Sequence, residues 1–171
     1  MRLLADGMLG SLAKWMRYLG HDVVYLGPAP EDDELLRLAL AERRLLLTRD
    51  RELAARVKKR GGEAVFIASL ELDPQLEQAV GVAGIDEDLV LARCGECNGL
   101  LRDATLEEAA GAVPEGVLSR VREFWKCDGC GRFYWEGSHY AAIERRIGGL
   151  RGRARGVAAE KAAGSPADAR Q

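Results

Sequence analysis

Four short apolar runs, each followed by a stretch with helical periodicity, constrain this chain more than any other feature. The runs are Leu3-Leu4-Ala5, Val23-Val24-Tyr25-Leu26, Leu45-Leu46-Leu47-Thr48 and Ala64-Val65-Phe66-Ile67. Each has strand length, and the second is closed by the loop Gly27-Pro28-Ala29-Pro30. Between them, Leu9, Leu12, Ala13, Met16 and Leu19 fall on one helical face. Leu35, Leu36, Ala39 and Leu40 form a second such face, and Leu53, Ala54 and Val57 a third. Pro74–Val80 fits a fourth helix; Gly20 and Gly61-Gly62 are stops, and Asp32 stands where an N-cap belongs. Strands alternating with helices need crossover connections, so the strands run parallel and both faces of the sheet are covered. The expected fold is α/β.

The texture changes near residue 90. Cys94-Gly95-Glu96-Cys97 and Cys127-Asp128-Gly129-Cys130 frame a stretch without comparable apolar runs, where Leu106–Ala110 and Val117–Val121 are short helical candidates. Two Cys-x-x-Cys pairs supply Cys94, Cys97, Cys127 and Cys130 as four thiolates for tetrahedral Zn²⁺. Four sulfurs leave no open position, so the zinc is structural, and it stabilises a region too poor in core residues to fold alone. The pairs are 29 residues apart, against roughly 15–20 in a compact ribbon, so residues 98–126 hold an insert. Disulfides or a redox pair are one alternative, though a redox role would need a βαβ setting that neither pair has, and an iron–sulfur cluster is the other. Beyond Leu150 the Arg/Gly segment and the Ala-rich end read as a disordered basic tail. The expected division is a first domain over 1–90, a zinc module over 91–147 and a tail over 148–171.

Composition excludes several classes. With 47% hydrophobic and 30% charged residues among 171, the chain is neither mainly disordered nor collagen-like. No apolar run reaches the roughly 18 residues of a membrane span, and Asp6 comes too early for a signal peptide. Reduced thiols and a cytoplasmic location are therefore expected. Residues 1–90 carry 16 acids and 12 bases, and residues 91–171 carry 11 and 13. That distribution is unlike a general polyanion binder, and it suits a metal-collecting site beside a surface that tolerates phosphates.

Ligands of an open parallel sheet bind outside the carboxyl ends of its strands. Asp6 ends the first strand, Asp50 lies two residues past the third apolar run, and Asp32 and Asp33 open the helix after the second. These acids converge on one rim, with the Thr48 hydroxyl beside them. Like charges gathered by a fold call for a cation, and hard oxygen ligands favour Mg²⁺ or Mn²⁺. Each acid also has an ordinary role open to it: strand-end turn for Asp6, helix N-cap for Asp32 and Asp50, dipole complement for Asp33 and Glu34. Asp22 starts its strand, lies at the opposite rim and is structural. Lys14, Arg17, Arg49 and Arg51 are candidates for phosphate contact or solvated charges.

Leu4-Ala5-Asp6-Gly7-Met8-Leu9-Gly10-Ser11-Leu12-Ala13-Lys14-Trp15-Met16-Arg17-Tyr18-Leu19-Gly20-His21-Asp22 resembles the opening of the Mut-seven C-terminal RNase family, a PIN-like nuclease group. Thr48-Arg49-Asp50-Arg51 resembles its second signature. The paired cysteines with Asn98, and Phe133-Tyr134-Trp135-Glu136-Gly137-Ser138-His139, resemble its zinc-ribbon end. The resemblance spans about residues 2–147. It implies a PIN-like three-layer α/β/α domain with a central parallel sheet, acting on RNA through acidic residues and a divalent metal. Asp6 and Asp50 match the first and last acidic positions and Asp32 the middle one, with Asp33, Glu31 and Glu34 as alternatives. The expected function is a metal-dependent endoribonuclease whose catalytic metal is held by Asp6, Asp32 and Asp50. Lys14, Arg17 and Arg49 would touch RNA, and the zinc ribbon would assist. The rival is a non-catalytic RNA- or ribosome-associated protein with a vestigial site. A phosphoacceptor receiver is excluded, because Gly7 follows Asp6 and no Lys follows Ile67. His139 is a ligand, an RNA contact or structural; Trp125, Tyr134 and Trp135 stack on bases or pack a core. Self-association stays open, and no protein partner is legible.

Overall fold

The structure is a computed structural model that describes residues 1–163, with side chains as far as Arg153. The four apolar runs become β1 (Arg2–Ala5), β2 (Asp22–Tyr25), β3 (Leu45–Thr48) and β4 (Ala64–Phe66), all parallel in the order β2-β1-β3-β4. The connecting helices are α1 (Gly10–Tyr18), α2 (Asp32–Ala41) and α3 (Arg51–Lys59), and α4 (Leu72–Ala83) follows β4. From β1 the chain steps outward to β2, then returns past β1 to β3. Right-handed crossovers in opposite directions place their helices on opposite faces. Accordingly α1 and α4 pack on one face, around Leu3, Leu12, Met16, Leu47, Leu76 and Val80. Helices α2 and α3 cover the other, around Leu4, Leu36, Leu46, Leu53 and Val57. Three layers result, and β1 beside β3 is the point where the winding reverses.

Two local rules set the rim. Gly7 follows Asp6 because a Cβ there would lie 2.3 Å from the Pro28 carbonyl oxygen, so only glycine lets the β1–α1 turn pass the β2–α2 loop. Asp50 is the N-cap of α3, as its sequence position allowed. Asp32, expected as an N-cap, is instead the first residue of α2; Glu31 takes the cap position without a side-chain bond. At the opposite rim, Asp22 is held by Arg44 and by Asn98 Nδ2, which fits its structural reading.

The C-terminal region holds a second sheet that apolar runs do not announce. Strands β5 (Leu101–Ala104), β6 (Phe124–Cys127) and β7 (Phe133–Trp135) are antiparallel in that order. Short helices α5 (Leu106–Ala109) and α6 (Glu115–Leu118) lie in the β5–β6 insert and close a small core on Ala109, Val113 and Phe124. Arg102, Asp103 and Lys126 interrupt these strands, so period and apolarity both fail as signals there.

The expected tail is corrected. Helix α7 runs from Ser138 to Ala163. Ile143, Ile147 and Leu150 are buried with Leu12, Met16, Leu76 and Val80, so the last helix completes the layer formed by α1 and α4. This i, i+4, i+7 stripe straddles residue 148, and neither half alone carries a helical signal. Arg151 pairs with Glu87 and Arg153 with Glu77. Residues 164–171, part of the expected tail, lie outside the described residues.

Candidate active site and metal centre

Asp6 is 6% exposed and its carboxylate is held by three donors. Met8 N donates to Oδ1 at 2.7 Å, Arg49 N donates to Oδ2 at 2.9 Å, and the Thr48 hydroxyl also donates to Oδ2. Thr48 Oγ1 in turn accepts Asp50 N at 2.9 Å. Asp50 Oδ1 accepts Glu52 N at 2.7 Å and Leu53 N at 2.9 Å, the ordinary capping bonds of α3. One hydroxyl thus ties the ends of β1 and β3 together at the point of reversal.

Lone-pair accounting shows what remains. A carboxylate oxygen accepts about two hydrogen bonds. Asp6 Oδ2 is saturated and Oδ1 keeps one site, whereas Asp50 Oδ2 accepts no bond among the described residues. Oxygen acceptors left over at a strand-end rim, with backbone amides already satisfied, are the donor set that hard divalent cations use.

The third acid is elsewhere. Asp32 Oδ2 takes Arg56 Nη1 at 3.2 Å, and Asp33 Oδ1 takes Arg56 Nη2. Among the described residues the carboxylates form no group of three close ligand atoms. The structure therefore joins Asp6 with Asp50 through Thr48 and ties Asp32 to α3 through Arg56. Arg56 was not singled out in the sequence; its place on the face of α3 toward α2 depends on helix packing.

The basic residues divide. Arg49 follows Thr48 at the rim, and its Nε is buried without a partner among the described residues. Arg51 lies over the Phe66 ring, 3.9 Å from its centroid. Arg17 is corrected as a phosphate contact. It is 5% exposed, and its guanidinium donates to Val23 O (3.0 and 2.9 Å), Gly95 O (2.9 Å) and Glu96 O (2.9 Å). Arg17 is a strut between sheet and zinc module. Lys14 is turned the same way and pairs with Glu96 at 2.5 Å.

The four cysteines come together from both ends of the ribbon. All four sulfurs lie within 4.8 Å of one another, with Cys97–Cys127 at 3.3 Å and Cys94–Cys130 at 3.7 Å. Zn–S bonds of about 2.3 Å in a regular tetrahedron separate sulfurs by about 3.8 Å, so the residues fit that ion. Burial raises the Cys94 thiol, but hydrogen bonds from Tyr134 Oη and the Cys97 and Glu96 amides outweigh it and bring the pKa to about 7. Cys97 is pushed to about 12 by burial and by the neighbouring sulfurs.

The first knuckle is locked onto the α/β layers. A Cβ on Gly95 would lie 2.6 Å from Tyr18 Oη, so glycine lets the knuckle seat flat on α1. Asn98 Oδ1 accepts Val23 N at 3.0 Å, and Asn98 Nδ2 donates to Asp22 at 2.7 Å. Tyr134 and Arg17 as second neighbours of the sulfurs were missed in the sequence, because the contacts join segments far apart in the chain.

A parallel sheet covered by helices on both faces, with Asp6 and Asp50 at its reversal point, is thus joined to a ribbon that gathers four cysteines. The chain belongs to the Mut7-C RNAse domain family, whose model matches residues 1–147. Neither a curated protein nor a solved structure matches it. Among the described residues no helix is long and apolar enough to cross a membrane.

Proposed function

We propose that the protein is a metal-dependent endoribonuclease that hydrolyses RNA phosphodiester bonds at the β1–β3 rim. The observation that carries this reading is the Asp6–Thr48–Asp50 chain, which leaves Asp6 Oδ1 and Asp50 Oδ2 with open acceptor positions. These oxygens would hold Mg²⁺ or Mn²⁺, and Asp32 would join them when Arg56 yields to the ion. When bound, such an ion polarises a phosphodiester and supplies hydroxide from water at neutral pH. Thr48 fixes the Asp6 carboxylate by donating to it, and the Arg49 amide does the same from the other side. The Arg49 guanidinium, whose Nε has no partner among the described residues, would hold a phosphate. The Zn²⁺ is structural, and its module assists RNA binding in the cytoplasm.

Asp50→Asn is the cleaner test, because Asn keeps the oxygen that caps α3 and replaces the open Oδ2 with an uncharged amide nitrogen that cannot hold a cation. Cleavage of a mixed RNA pool should require Mg²⁺ or Mn²⁺ and fall by at least about 100-fold in Asp50→Asn. Equal cleavage by both proteins would refute the assignment. One observation favours the rival reading of a non-catalytic RNA- or ribosome-associated protein: the Arg56 ion pairs occupy Asp32 and Asp33. Under that reading RNA binds, nothing is cleaved, and Asp50→Asn leaves affinity unchanged.

A further inference from the structure

A cavity of about 610 Å³ lies away from the acid rim, between α1, the segment 90–96, one face of the β5–β7 sheet and the start of α7. Register puts Asp103 opposite Trp125, and Trp125 opposite Tyr134. Opposed residues share a sheet face with Cβ atoms about 5 Å apart, and all three line the cavity. The Tyr140 ring is stacked parallel to Trp125, centroids 6.1 Å apart and planes 10° apart, and adds a second aromatic ring to the lining. Two polar groups in the lining lack partners among the described residues. The Asp103 carboxylate makes no bond, although its main-chain carbonyl accepts Arg102 Nη1. Arg93 Nε is buried and unpaired, while its Nη1 is anchored on Asn98 O at 3.0 Å.

An aromatic floor with the exposed, unpaired Asp103 carboxylate and a guanidinium that is held through Nη1 and keeps Nε unpaired favours a flat ligand with adjacent donors on one edge and acceptors on another. Guanine is the RNA base that offers two neighbouring donors, N1–H and the exocyclic amine, to a single carboxylate. Its O6 and N7 accept from a guanidinium. Adenine and cytosine present one amine beside a ring acceptor that would repel the carboxylate, and uracil presents one N–H between two carbonyls. Unpaired bases are recognised in proteins by this combination of stacking and edge bonding. Helix α1 runs from the rim at Gly10 to the cavity at Lys14 and Tyr18. That is about 6–12 Å along its axis, a span of a few nucleotides.

We infer that this cavity binds an unpaired guanine of the RNA strand whose backbone crosses the acid rim, stacked on Trp125 and read by Asp103 and Arg93. The inference rests on RNA being the substrate, and it adds a base preference that the rim itself does not provide.

The test uses the full chain with zinc bound and no added Mg²⁺ or Mn²⁺, so that RNA stays intact. Labelled oligouridylates carrying one guanosine, one inosine or one adenosine are titrated against the uridine-only oligomer. Guanosine should tighten binding by about 10- to 100-fold. Inosine, which lacks the exocyclic amine, should gain less, and adenosine little. Asp103→Asn should erase the guanosine gain, with zinc content and Tm as controls for folding. Affinity independent of the base, or a guanosine gain intact in Asp103→Asn, would overturn the inference. Free guanosine 5′-monophosphate that binds while guanosine in the strand gives no gain would assign the cavity to a mononucleotide and overturn it too. Metal-dependent cleavage of the uridine-only oligomer, assayed separately, leaves the nuclease reading standing if the base preference fails. Absence of cleavage of the guanosine-containing oligomer beside an intact guanosine gain does the reverse.

Discussion

The acid rim and the cysteine cluster are both built to gather negative charge, yet they are held in opposite ways. At the rim, parallel strands with fully buried Leu3, Leu4, Leu46 and Leu47 fix the backbone, and amides and a hydroxyl satisfy the acids before any ion arrives. In the ribbon, three short strands and a small core around Phe124 surround four sulfurs that lie within 4.8 Å. On the proposed reading the rim is a product of folding, whereas zinc at the cluster would be a cause of it. Divalent ions should therefore come and go at the rim with little effect on the fold, while removal of zinc should undo the ribbon.

Zinc removal breaks this comparison most sharply. Structural zinc contributes on the order of 10 kcal/mol in small metal-dependent domains. Chelation, or Cys127→Ser, should unfold residues 91–137 and lower Tm by many degrees in calorimetry, whereas withdrawal of Mg²⁺ should leave Tm unchanged. An unaltered Tm after verified zinc loss would show that the ribbon folds without metal.

Next in size are the side chains that couple the two regions. Leu150→Ala removes a buried contact between α7 and the first core and should cost about 2–4 kcal/mol in denaturant unfolding. Arg17→Met leaves the Val23, Gly95 and Glu96 carbonyls without their donor. It should cost about 2–4 kcal/mol and weaken zinc by about 10- to 100-fold in chelator competition. Unchanged zinc affinity would mean that the knuckle holds its shape without the strut.

The smallest effect is a pH dependence. His21 is 1% exposed, and burial holds its pKa below 6.5, with the Met1 amino group adding to the shift and the Gly84 carbonyl opposing it. The unfolded chain takes up this proton near pH 6.5 and the folded chain only at lower pH. The contribution is complete above about 6.5 and declines as pH falls below it. Tm should drop modestly from pH 7 to 5.5, and His21→Gln should flatten the profile.

Much of the rim was legible because its parts lie one or two residues beyond unmistakable apolar runs. Asp6 and Asp50 follow from strand ends and topology, and the cysteines from spacing. What sequence could not reveal depends on contacts between distant segments. Arg17 has two of its three carbonyl partners 78 and 79 residues away and so passes for an exposed helix charge. Strands β5 and β6 carry Arg102, Asp103 and Lys126, and they are recognised only through their pairing. The stripe Ile143-Ile147-Leu150 needs the α1–α4 surface to explain it. Asp32 took the middle acidic position by sequence match, while Arg56 claims it in the fold.

The central claim is that Asp6 and Asp50 form one divalent-cation site at the β1–β3 reversal. It is tested most directly by titrating zinc-loaded protein with Mn²⁺ and following paramagnetic broadening of backbone amides by NMR. The account expects selective broadening of Met8, Arg49 and Glu52, whose amides bind these two carboxylates, and its loss in Asp50→Asn. Broadening centred elsewhere, or unchanged in Asp50→Asn, would contradict it.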